Sequence, residues 1–175
     1  MAVINAVATV DYLEFLAKHQ GGLIAPPWTP TLTHFRFGEG GWIDNGAGPE
    51  ARVPVGTLRR VDNIQDIDAI VDPTRPLIDQ RYPVSSLFSI QKAFVGGDLV
   101  FEAPGTIRCR CFLDFAEGND TGTAEYWEVG VYAIHPTVGG QKLLVAYGTF
   151  SLESKTIGVQ LEHFVRLNYG AVPPT

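Results

Sequence analysis

The carboxyl-terminal segment of the chain, residues 159–169, alternates regularly between apolar and polar side chains. Val159, Leu161, Val165 and Leu167 share one parity with His163, and mostly polar residues occupy the positions between them. Successive side chains of a β-strand point to opposite faces, so this pattern predicts a strand with one buried and one solvated face. A chain containing this segment is expected to build a β-sheet.

Two further segments, residues 125–134 and 141–150, also resemble strands. The residues between them, 135–140, include Pro136 and a pair of glycines, which are typical of a hairpin loop. Three antiparallel strands with a common apolar face form the smallest arrangement expected to be stable. We therefore expect these three segments to form one sheet on which the rest of the chain packs.

The chain length and composition favour a single β domain. Its 175 residues suffice for one core, and 19 glycines with 12 prolines supply many turns. The sequence predicts a mainly β fold, an antiparallel β-sandwich of about seven strands with a short N-terminal helix and an extended arm. The expected divisions are residues 1–30 for the helix and arm, 31–170 for the β domain and 171–175 for a short tail.

The expected helix begins near Asp11, because Glu14 three residues later resembles a capping box. Gly21 and the glycine after it should end the helix. The segment that follows contains three prolines around Trp28, which hold the chain extended. Two interpretations of residues 1–30 are open: they reach onto a neighbouring subunit, or they cover an open sheet edge of their own domain.

Charge and cysteine content restrict the partners. A net charge of −6 and a pI near 5.1 argue against a nucleic-acid partner, which would need a basic surface. Cys109 and Cys111 would share one face of a strand, roughly 6.5–7 Å apart, which is too far for an unstrained disulfide. We expect both to be buried free thiols. The sequence predicts neither a secretory signal nor a membrane-spanning segment.

No residue pattern predicts catalysis or metal binding. The four histidines lack metal-site spacing, so we expect His163 in a core or an interface and His135 exposed at a turn. The acidic clusters at residues 62–72 and 117–120 do not match a calcium loop. Asp114 and Glu125 are possible hairpin neighbours, but nothing indicates the separation that a glycosidase pair needs. The sequence therefore predicts a protein that is not an enzyme and has no cofactor.

Several short motifs resemble the tail-collar and tail-fibre attachment proteins of bacteriophages. They are LTHFRFGEGGW from Leu32, EVGVY from Glu128 and LVAYGT from Leu144, followed by a turn with Ser154 and Lys155. The resemblance covers residues 32–169. It implies a domain that fixes a receptor-binding fibre to the baseplate or tail, usually as a trimer. Because only residues 170–175 follow, we expect an adaptor that stands alone or is bound by a separate fibre chain.

The leading hypothesis is a virion structural protein, synthesised in the host cytoplasm and placed in the tail as a baseplate or collar adaptor. Its partners would be other tail proteins, a tail fibre chain and further copies of itself, with a trimer favoured and without nucleic acid or membrane. The expected assembly contacts are Trp28, Phe35, Phe37 and Trp42.

Two alternatives are open. The first is a capsid decoration or head-fibre protein, which needs the same kind of stable β domain. The second is a carbohydrate-binding β-sandwich in which Trp42, Trp127 or Tyr132 stacks on sugars. This second alternative requires exposed aromatic side chains in a concave site.

Overall fold

The computed structural model describes residues 2–24, 31–38, 42–44, 47–51, 91–118, 123–136 and 142–168. The proline-rich arm with Trp28, the acidic cluster at 62–72 and the tail at 171–175 lie outside the described residues. Within them there are one helix and eleven strands. The helix is α1 (Val10–Gln20), and the strands are β1 (Ala2–Asn5), β2 (Val7–Ala8), β3 (Leu32–Gly38), β4 (Trp42–Asp44), β5 (Pro49–Ala51), β6 (Gln91–Ala93), β7 (Leu99–Ala103), β8 (Thr106–Leu113), β9 (Thr123–Ile134), β10 (Lys142–Thr156) and β11 (Leu161–Asn168).

Two sheets face each other. The first has the strand order β1-β11-β8-β7 and the second β2-β10-β9-β3-β6, while β4 and β5 form a separate hairpin. Inward side chains from both sheets form one core, to which the first sheet contributes Cys109, Leu113 and Val165 and the second Val129 and Val145. The expected mainly β class and sandwich arrangement are confirmed. The described strands outnumber the seven expected because several are only two to four residues long.

The three carboxyl-terminal segments do not form one sheet, so that prediction was wrong. β9 and β10 pair antiparallel as expected, with Gly130 opposite Tyr147. β11 instead joins the other sheet and pairs antiparallel with β8, where Leu161 lies opposite Leu113. The alternating pattern specifies that one face of β11 is buried, and it carries no information about which strand lies beside it.

The first residues of the chain are part of the sandwich. β1 pairs with β11, and this pair is parallel, unlike the antiparallel arrangement expected throughout. β2 then pairs with β10 in the other sheet. Between them Ala6 N–H donates to the carbonyl oxygen of Arg166 at 3.2 Å. Residues 2–8 therefore cover one edge of each sheet, which favours the second interpretation for these residues.

The helix α1 is fixed at both ends by local hydrogen bonds. The helix was expected to begin near Asp11, but its N-cap is Thr9. The Thr9 side chain accepts a hydrogen bond from Tyr12 N–H. At the other end Leu23 N–H donates to Lys18 O at 2.8 Å, across Gly22 with φ +69°. This is a Schellman motif, and it confirms that the two glycines end the helix.

Candidate functional site

Phe35 and Phe37 are core residues, so the expectation that they make assembly contacts was wrong. Their side chains are 1% and 0% exposed. The Phe35 ring lies 5.4 Å from that of Phe94, and the Phe37 ring lies 5.6 Å from that of Tyr126. A ring enclosed by its own chain offers no surface to a partner. Trp28 and the side chain of Trp42 lie outside the described residues.

Two of the histidines, His135 and His163, are buried. His163 is fully buried, as expected for a core position, and its ring stacks on Phe150 at 4.3 Å. Its Nε2 lies 3.2 Å from Glu153 Oε2, close enough for an ion pair but without hydrogen-bond geometry. Burial lowers the pKa of His163, although Glu153 opposes this. His135, expected to be exposed, is buried with its ring edge-on to Phe15 at 5.1 Å, because α1 covers it.

The two cysteines are free and buried, as the sequence predicted. Burial raises the pKa of Cys109 to about 12 and that of Cys111 well above its ordinary value. Since the thiolate is the reactive form of cysteine, these thiols serve as packing residues and not as nucleophiles. Asp114 and Glu125 do not form a hairpin pair, because the strands beside them, β8 and β9, lie in different sheets.

A cluster of buried polar side chains lies on the face of the second sheet opposite the shared core. Arg36 of β3 is opposite Gly130 of β9, two residues along that strand from both Glu128 and Tyr132. All three side chains are buried. Burial lowers the pKa of Arg36, and the charges of Tyr132 and Glu128 oppose this. Since Glu128 offsets part of the cost of burying the Arg36 charge, a register shift that separated the two would be unfavourable, so the cluster favours one pairing register for the central strands.

This polar cluster was not predicted. Arg36 has the parity opposite to Phe35 and Phe37, which in a two-layer sandwich indicates a solvated position. However, β9 is buried at every position from Tyr126 to Ala133, so both faces of the sheet are covered there. A near-continuous apolar run, EYWEVGVYA, was the available sequence signal for a strand covered on both faces.

Residues 114–118, which follow β8, are held by a second group of polar side chains. Glu117 Oε2 accepts from Lys92 Nζ at 2.7 Å and from Asp114 N–H at 2.8 Å. Burial acts to raise the pKa of Glu117, but these two hydrogen bonds outweigh it and the pKa is lowered. Lys155 Nζ donates to Phe115 O at 3.0 Å, and Tyr126 Oη donates to Gly118 O. These side chains form hydrogen bonds with backbone groups that follow β8, so their role is to stabilise the fold.

The outer face of the first sheet carries paired charges. Arg110 Nε lies 2.5 Å from Glu162 Oε1, and Arg166 Nε lies 2.7 Å from Glu102 Oε2. The Arg108 guanidinium lies 4.7 Å from the centre of the Phe164 ring. Exposed pairs of this kind add little to stability, but they leave this face without a strong net charge of either sign.

The last strand of this sheet, β7, carries a run of exposed apolar side chains. Leu99, Val100 and Phe101 follow one another and are 37%, 37% and 70% exposed. The sequence of this strand gives no sign that it lies at an edge. Such a run of apolar residues on an edge strand is typical of a protein contact.

Among the described residues, no group of three or more histidine, cysteine, aspartate or glutamate side chains could hold a metal ion. The single helix of the described part is too short and too polar to cross a membrane. No protein-family model matches the sequence, and no curated protein or solved structure matches it.

Proposed function

We propose that this chain is a non-enzymatic structural protein of a tailed bacteriophage, a baseplate or collar adaptor that attaches tail fibres and acts as a homo-oligomer. The observation that carries the proposal is the position of the two motifs resembling attachment proteins. EVGVY lies in β9 and LVAYGT in β10, and these strands pair with Tyr132 opposite Leu144. The resemblance implies a hairpin of these two strands, so the pairing supports it.

The surroundings of the hairpin also support a mechanical role. The buried cluster around Arg36 and Glu128 lies beside it, and the N-terminal strands cover one edge of each sheet. A part that transmits force between a tail and a fibre has to keep one shape, and fixed strand register with covered edges serves that need. The exposed apolar strand β7 offers a surface for contacts with other chains.

The carbohydrate-binding alternative loses two of its three candidate platforms, while the side chain of Trp42 lies outside the described residues. Trp127 is 6% exposed and Tyr132 is fully buried. Neither ring can stack on a sugar in this arrangement. The capsid decoration alternative needs the same rigid domain, and the two virion hypotheses differ only in where the chain lies in the particle.

Electron microscopy of intact particles labelled with an antibody against the purified chain tests the proposal. We expect label at the base of the tail, and we expect particles depleted of the chain to lack fibres. Label on the capsid would support the decoration alternative. Mass spectrometry of purified particles in which no peptide of this chain is detected would refute both.

A further inference from the structure

Within the described part of the chain, the outer edge of β7 has no strand paired to it. Among the described residues its one strand neighbour is β8. Asp98 O accepts a hydrogen bond from Arg110 N–H at 2.7 Å, so Asp98 and Val100 direct their backbone groups towards β8. Alternate residues of an antiparallel strand direct these groups to opposite sides. The N–H and C=O groups of Leu99 and Phe101 therefore point away from the sheet.

The side chains at this edge have the parity of core residues. Leu99 lies opposite Cys109 and Phe101 opposite Ile107, and Cys109 is fully buried between the sheets. Leu99 and Phe101 thus point to the inner side of the first sheet, yet Phe101 remains 70% exposed. The apolar layer continues to β7, where the described part of the chain does not cover it.

We propose that β7 pairs antiparallel with β7 of a second copy of this chain, around a twofold axis at Val100. Leu99 of each copy then lies opposite Phe101 of the other, and their outward backbone groups form four hydrogen bonds. The four apolar side chains form one cluster on the inner side. The two first sheets become one continuous sheet of eight strands.

The sequence of the edge suits a second copy as the partner. A twofold contact places each residue opposite its symmetry partner. Here Leu99 meets Phe101 of the second copy and Val100 meets Val100, so apolar side chains meet apolar side chains. The flanking residue Asp98 would lie opposite Glu102 of the second copy, which brings two carboxylates together. Each carboxylate already has an arginine of its own chain beside it: Asp98 lies 3.8 Å from Arg110, and Glu102 lies 2.7 Å from Arg166. Neither pair brings an uncompensated charge to the contact.

The contact is short. The register of β7 against β8 shifts between Phe101 and Ala103, so the regular edge ends at Glu102. Bulges of this kind limit pairing along an edge. We therefore expect a dimer that dissociates on dilution. The contact is separate from the fibre-attachment role, because it requires no other tail protein, and it differs from the trimer expected from the resemblance.

Sedimentation velocity of the full chain over a range of concentrations tests the pairing. We expect twice the mass of the 19.1 kDa chain at high concentration and a single chain at low concentration. Phe101→Lys should remain a single chain at every concentration, because the lysine would place a charge within the apolar cluster of the paired strands. Ile157→Lys is the matched control, since Ile157 is 73% exposed at a turn away from β7, and it should dimerise like the natural chain.

A cysteine cross-link gives a positive test. Val100 would lie opposite itself in a non-hydrogen-bonded pair, with Cα atoms roughly 4.5 Å apart, a separation that a disulfide can span. Val100→Cys should form a disulfide-linked dimer under mild oxidation, whereas the control Val159→Cys should not. The buried Cys109 and Cys111 provide no reactive background.

A single-chain or three-chain mass at all concentrations would overturn the pairing. So would a dimer that Phe101→Lys leaves intact, or cross-linking of Val100→Cys no faster than that of Val159→Cys. A dimer formed by a chain that is absent from the virion would refute the proposed function alone. A chain that is monomeric in solution at all concentrations yet is found at the tail base would refute the pairing and leave the fibre-attachment role standing.

Discussion

Replacing Thr9 with valine tests how the helix α1 is fastened to the second sheet. The Thr9 hydroxyl is buried, donates to Leu144 O of β10 at 2.6 Å and accepts from Tyr12 N–H at 3.3 Å. Valine keeps the branched shape and removes both interactions. Loss of the N-cap costs about 1 kcal/mol and loss of a buried hydrogen bond about 1 kcal/mol more. We therefore expect the free energy of unfolding to fall by about 2 kcal/mol.

Urea denaturation followed by tryptophan fluorescence measures this change. With a slope of about 2 kcal/mol per M, the midpoint should fall by about 1 M with the slope unchanged. Thr9→Ser is the matched control, because it keeps the hydroxyl and loses one methyl group, and its midpoint should fall by clearly less. If the valine variant is no less stable than the serine variant, the hydroxyl does not fasten the helix and the reasoning fails.

The other predictions concern pH, thiol reactivity and the end of the helix. The pKa of His163 is lowered below its ordinary 6.5, so the unfolded chain binds more protons below pH 6.5 and stability falls as the pH drops from there to the folded pKa. His163→Phe should reduce this fall in urea denaturations from pH 8 to pH 5, and equal pH dependence in both chains would contradict the assignment. The raised pKa and burial of Cys111 predict that it does not react with a thiol reagent in buffer and reacts fully in concentrated urea. The reaction is followed by the absorbance of the reagent, and rapid labelling of the folded chain would contradict this prediction. Gly22→Ala should lower the unfolding free energy by roughly 1 kcal/mol because of its positive φ, whereas Gly96→Ala, in open space without a positive φ, should change it by less than about 0.5 kcal/mol in the same assay. Equal effects of the two alanine substitutions would contradict the proposed role of Gly22.

Local signals in the sequence were sufficient for several elements. The sequence predicted that Cys109 and Cys111 share one face of a strand as buried thiols, and both are fully buried. The glycines after the helix predicted its end correctly, because a left-handed residue at that point is a local requirement. The pairing of β9 with β10 followed from two strand patterns separated by a short turn segment.

Predictions about surface and core were less successful because they depend on distant residues. His135 follows a strand at a turn, and its burial arises from contact with Phe15, which lies far away in the sequence. Phe35 and Phe37 would show the same sequence pattern in a core and at an interface, since both environments favour aromatic residues on strands. The edge position of β7 depends on which strands pair, which its own sequence does not specify.

The sequence by itself determined several of the strands, one buried face of β8 and of β11, and where the helix ends, because these follow from the two-residue period of a strand and from local backbone geometry. Only the tertiary structure decided that β11 pairs with β8 in the opposite sheet, that the N-terminal residues join both sheets and that β7 is left at an edge. The physical reason is that a strand presents the same backbone hydrogen-bonding groups to any neighbour. The choice between neighbours is made by the packing of the whole core.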